Sequence, residues 1–154
     1  MADTKKSKFA ITQTAPIISE ESALAQIIPM LEFYDFDIEA VTGEEKRGGY
    51  EELLGSLLKH IQRGRLEISL VNGRPVVTQH LSSTPGTLKE ITYGMISGES
   101  RVNGVSGDLK RPMNSMYGLM GQLSGLGLEA MKKLEGVDLQ AMELLASVFF
   151  TMVG

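Results

Sequence analysis

The chain has 154 residues, enough for one domain with or without an extension, and its 42% apolar content suffices for a hydrophobic core. It has no cysteine, which excludes a disulfide scaffold, a thiolate metal centre and a cysteine nucleophile. A net charge of −4 excludes a chain built as a whole for nucleic acid or for an anionic membrane.

Residues 1–18 read as a flexible, solvated tail. Met1 to Lys8 is basic, but no apolar stretch of signal-peptide length follows. Ser19-Glu20-Glu21-Ser22 predicts a helix start, with a capping hydroxyl and acids in the first turn. Leu24, Ile27, Ile28 and Leu31 then recur at helical spacing, and Pro29 is expected to kink the helix or end it at the preceding residue. From Tyr34 to Ala40 apolar and acidic residues alternate, which predicts a strand with one buried face. Thr42 to Gly49, charged and glycine-rich, reads as a loop.

Tyr50 to Arg63 predicts a helix whose apolar face is Leu53, Leu54, Leu57, Leu58 and Ile61, stopped by Gly64. Leu66–Val71 and Arg74–Leu81 flank Asn72-Gly73 and predict a hairpin with a type I′ turn. In that register Pro75 points its missing N–H away from its partner, marking the other side of the strand there as a sheet edge. Ser82–Thr87 reads as a turn and Leu88–Tyr93 as a third strand. Residues 94–112 form a glycine-rich linker, expected to be a mobile loop or a segment ordered by a partner, with a short helix compatible from Glu99.

Residues 113–154 predict a helical unit. Met116, Leu119, Met120 and Leu123 share one face. Leu128, Met131 and Leu134 mark a short second helix ended by Gly136, and Asp138 is the expected cap of the last. Between Leu139 and Val153 only Gln140, Glu143, Ser147 and Thr151 are polar, a narrow stripe on an otherwise apolar helix. At about fifteen residues the helix is short of the ~20 that span a bilayer. Its apolar surplus is either core or a binding face. On the second reading the partner-binding residues are Met120, Leu123, Met142, Leu145, Phe149 and Met152. Nine methionines suit an adaptable apolar surface of this kind.

Nothing in the chain predicts catalysis, a cofactor or a metal. Asp35, Asp37 and Glu39 read as a solvent face rather than a cation site. His60 and His80 have no motif partner. No glycine cluster completes a phosphate loop or a dinucleotide fingerprint. Lys59, Arg63 and Arg65 are placed to offset a helix dipole more simply than to hold phosphate. The expected architecture is α+β, one compact domain: an α+β region over 19–93 with a small antiparallel sheet including the 66–81 hairpin, then the helical C-terminal unit.

The C-terminal half also resembles the tail assembly chaperones of tailed bacteriophages. The resemblance rests on Met120-Gly121-Gln122-Leu123-Ser124-Gly125-Leu126, then Leu128 to Leu134, then Asp138-Leu139 opening a final helix that ends Val148-Phe149-Phe150. The hairpin and Leu88–Tyr93 match the family's β part, so the likeness covers roughly 76–153. The helix-and-strand region before Gly64 and the glycine-rich linker are departures. The resemblance implies a cytoplasmic, non-enzymatic protein that binds the tape measure protein, helps tail tube subunits assemble, self-associates or holds its client through apolar helix faces, and needs no nucleic acid or membrane. The alternative is a virion structural protein, such as a tail tube or baseplate subunit, polymerising through a strand edge.

Overall fold

The computed structural model describes residues 17–104 and 112–153. Helix α1 spans Glu20–Phe33. Ser19 caps it by accepting the Ser22 N–H at 3.1 Å, and Glu20 and Glu21 sit in its first turn. Of the two outcomes expected at Pro29, a kink or a stop, the stop does not occur, and the helix runs on to Phe33. The proline removes only the hydrogen bond to the Ala25 carbonyl, and Ala25 is exposed. The buried face of Ala23, Ile27 and Met30 carries the helix through. Of the expected tail, Ile17 and Ile18 donate their N–H groups to the Gln62 carbonyl, and the remainder lies outside the described residues.

The strand expected over Tyr34–Ala40 is absent. Asp35 takes a positive φ of 50°, and Asp37 accepts the Glu39 N–H at 2.9 Å, starting a 3₁₀ turn over Ile38–Ala40. Local aspartate–backbone bonding outcompetes the alternating pattern here. The expected loop over Thr42–Gly49 is largely helix, because α2 begins at Glu44 and runs to Gln62. Glu44 and Glu45 suit its N-terminus. Arg47 anchors that first turn by donating to the carbonyls of Glu39 (3.0 Å) and Val41 (3.3 Å).

Three antiparallel strands follow: β1 (Leu66–Val71), β2 (Arg74–His80) and β3 (Glu90–Tyr93), in the order β1-β2-β3. The hairpin register is Val71 opposite Arg74 and Leu70 opposite Pro75, as read from the sequence. Pro75 lies beyond the reach of β3, whose pairing with β2 runs only from Val77 to His80. The missing N–H therefore costs no ladder bond. Leu66, Ile68, Val77, Gln79, Ile91 and Tyr93 form the buried face, and the alternate residues face outward.

The segment after β3 packs before it leaves the core. Met95 and Ile96 are buried, the Ile96 N–H is held by the Tyr34 hydroxyl at 2.6 Å, and α3 covers Gly98–Gly104. The rest of the expected linker, 105–111, lies outside the described residues. Helices α4 (Pro112–Ser124), α5 (Leu128–Lys132) and α6 (Gly136–Val153) complete the chain. The α6 helix packs against α2, α4 and β2, and this position explains its composition. Ala141, Met142, Leu145, Ala146, Val148 and Phe149 are at most 1% exposed. The polar Gln140 is exposed, and Glu143, Ser147 and Thr151 are half-buried. Helices on one face of an antiparallel sheet make this the expected α+β architecture.

The turn between α4 and α5 is unusually close. A Cβ on Gly121 would stand 2.4 Å from the Gly127 carbonyl carbon and 2.6 Å from the Leu128 nitrogen. Both are backbone atoms, so neither can swing aside. Gly121→Ala is therefore expected to cost about 1–3 kcal/mol by overpacking. Gly55, mid-helix in α2 with nothing within 4 Å of its Cβ position, is the opposite case. Gly55→Ala is expected to add about 0.5–1 kcal/mol. Urea unfolding of the two variants checks both signs.

Candidate interaction surface

The final helix has spent its apolar surplus inside the chain. Met120, Met142, Leu145 and Phe149 are completely buried, Met152 is 9% exposed, and Leu123 is half-buried. The face expected to meet a partner is core, because α6 lies between α2, α4 and the sheet rather than at the edge of the fold. The alternative reading, methionines and phenylalanines packing the helices together, describes their positions.

The helix start holds a polar constellation that the sequence hid. Asp138 was expected to cap its own helix. Instead α6 begins two residues earlier, and the Asp138 carboxylate reaches the turn after β2. It accepts the N–H groups of Ser82 (2.9 Å), Ser83 (3.0 Å) and Thr84 (2.8 Å). The Ser83 hydroxyl answers by accepting the Asp138 N–H at 3.1 Å, and Thr84 Oγ1 accepts the Glu135 N–H at 3.1 Å. Inward of this clamp, Gln79 donates to the Asp138 carbonyl (2.7 Å) and accepts the Tyr93 hydroxyl (2.7 Å). Burial would raise the Asp138 pKa. The bonds from Ser82, Thr84 and Ser83 outweigh it and hold the carboxyl below its ordinary value. The network joins sheet to helix.

The two histidines stay apart. His80 faces Glu90 across the β2–β3 pair at 3.7 Å on the exposed side of the sheet. His60 is half-buried near the end of α2, where its Nδ1 lies 3.4 Å from Arg65 Nη1. Burial first, then the charges of Arg65 and Arg63, lower its pKa from 6.5 to about 4. The unfolded chain binds this proton and the folded chain resists it, so the contribution of His60 to stability is complete above about pH 6.5 and falls away towards pH 4. A melting temperature that declines across this window, with a shallower decline in His60→Gln, is the expected result. Among the described residues no group of three or more acidic or histidine side chains could hold a metal ion.

Several large apolar side chains are exposed elsewhere on the surface. Leu70 and Val71 at the hairpin tip are 56% and 52% exposed. Phe33 stands near the tip, with the Arg74 guanidinium 5.2 Å from its ring centroid. An open groove of about 190 Å³ runs between α1 and the edge strand β1, lined by Ala25, Gln26, Pro29, Ile68, Ser69 and Leu70. Gln26 already occupies part of that strand edge by accepting the Ile68 N–H at 2.9 Å. On the other flank of α1, Leu24 and Ile28 are 49% and 44% exposed. Their helical spacing was legible in the sequence, but which of the apolar residues of α1 turn outward was not.

No helix among the described residues is long and apolar enough to cross a membrane. No protein-family model, curated protein or solved structure matches this chain.

Proposed function

We propose that this chain is a non-enzymatic assembly chaperone of a bacteriophage tail, acting in the host cytoplasm on the tape measure protein and aiding tube assembly. The observation that carries the reading is the order of elements after β2. The third strand is followed by the short α3, then by α4, at whose end the Met120–Leu126 phrase lies, then by a short helix and a long terminal one. Three positions of the phrase have structural tasks. Gly121 admits the next helix, Ser124 Oγ donates to the Gly121 carbonyl at 3.1 Å, and the Leu123 carbonyl accepts the Gly94 N–H at 3.0 Å. The phrase thus supports a shared fold more directly than a shared binding site. With the helix face buried, client contacts fall to exposed side chains such as Leu70, Val71, Leu88 and Leu126.

The test is co-expression with the tape measure protein of the same genome. A chaperone raises the soluble yield of the client, forms a complex with it and is missing from purified particles. Finding the chain in finished particles, or no gain in client solubility, overturns the reading. Incorporation into particles would favour a virion subunit, a role that the apolar hairpin tip also suits.

A further inference from the structure

The charge of this protein is distributed very unevenly. Between Glu20 and Glu52 there are ten carboxylates and two cations, Lys46 and Arg47. All ten carboxylates are exposed. The chain as a whole is only −4, so everything outside this stretch is net positive. The acidic stretch is α1, the turn after it and the first half of α2, and the two helices pack against each other.

Within this acidic surface lies an apolar stripe. Glu20, Leu24, Ile28 and Glu32 follow each other at i, i+4 along α1, and all four are exposed. Successive neighbours at this spacing touch, so they form an oblique ridge that reads acid, leucine, isoleucine, acid over roughly 18 Å and turns about a third of the way around the helix. Glu21 borders the same ridge. The adjoining face of α1, Ala23, Ile27 and Met30, is already buried in the core. Leu24 and Ile28 are therefore surplus to the fold, and a large aliphatic pair between carboxylates is a poor solvent face.

We propose that this flank of α1 is a docking surface for a cationic amphipathic helix of a partner protein. Two apolar side chains of the partner would cover Leu24 and Ile28. Lysine or arginine residues about three turns apart would meet Glu20 and Glu32. Charge complementarity selects this occupant. A second copy presenting the same stripe would set Glu20 and Glu32 against carboxylates, and an acidic or neutral helix would leave them unpaired. The stripe lies outside residues 76–153, so its occupancy and the assembly role stand or fall separately.

The test uses the full-length chain and two labelled helical peptides with one apolar face, identical except that the flanking polar positions carry Lys in one and Glu in the other. Fluorescence anisotropy is expected to show the Lys peptide binding at least tenfold more tightly, with affinity falling steeply as salt rises. The double variant Leu24→Ser/Ile28→Ser is expected to lose at least tenfold in affinity while still unfolding cooperatively, with a melting temperature lowered by a few degrees through the poorer helix propensity of serine. The charge-swapped Glu20→Lys/Glu32→Lys protein is expected to prefer the Glu peptide, a readout that general unfolding cannot produce. Equal binding of both peptides, no binding of either, or unchanged affinity in the Ser variant overturns the proposal. So does a concentration-dependent dimer in sedimentation that the Ser variant abolishes, because a second copy would then be the occupant.

Discussion

Leu145→Glu is expected to unfold this protein or leave it close to its unfolding midpoint at room temperature. Leu145 is completely buried, as are its neighbours Met142 and Phe149 along one side of α6. Losing the leucine forfeits about 1.5–3 kcal/mol of apolar burial. The carboxyl must then either stay charged in a dry core or take up a proton and remain without a designed partner, at a further few kcal/mol. The sum is on the order of 4 kcal/mol or more, against about 5–15 kcal/mol for a whole domain. Leu145→Met, which keeps the volume, should cost less than about 1.5 kcal/mol. Circular dichroism and urea titration of both variants decide the matter. If the Glu variant stays folded with an unchanged midpoint while losing a partner, α6 is an interface and not the centre of the core.

That contrast also marks what could be read from the residues alone. The hairpin was legible because Asn72-Gly73, with Asn72 at φ 53° and Gly73 at φ 78°, fixes its own turn and hence the register of Pro75. The helices from α4 to α6 were legible because their apolar spacing is strong. Whether α6 faced a partner or the core was not legible, since composition is the same in both cases and only the positions of α2, α4 and β2 decide it. The strand expected at Tyr34–Ala40 failed for a local reason. Asp35 and Asp37 fit the solvent face of an alternating strand, but the Asp35 backbone and the Asp37 carboxylate favour turns. The helical Glu44–Gly49 was hidden by Gly48 and Gly49, whose low propensity is outweighed by the Arg47 anchor and the long apolar face beyond.

Asp138 shows the same limit at the site. Sequence placed it correctly near a helix start and gave it the wrong partners, because the three N–H groups it holds are more than fifty residues away in the chain. Removing it separates a cap from a clamp. A helix cap lost to alanine costs about 1 kcal/mol. Here Asp138→Ala strips a charged acceptor from three donors at once. Ser82 and Ser83 are exposed enough to recover water in part, so the expected loss is about 2–4 kcal/mol. For a chain of this length that corresponds to roughly 4–16 °C in melting temperature. Asp138→Asn keeps the shape and one acceptor oxygen and should fall between.

The pH dependence supplies the sharper criterion. The folded pKa of Asp138 is depressed, so its contribution is complete above the unfolded value of about 4 and is lost as pH falls through the folded value below that. The gap in melting temperature between the native chain and Asp138→Ala should be constant from neutral pH to about pH 5 and narrow as the solution is taken towards pH 2. The His60 effect is common to both proteins and cancels in the difference. A gap that stays constant into strong acid would mean that the ionised carboxylate does not hold the Ser82–Thr84 turn. The joint between sheet and final helix would then rest on Gln79, Ser83 and apolar packing alone.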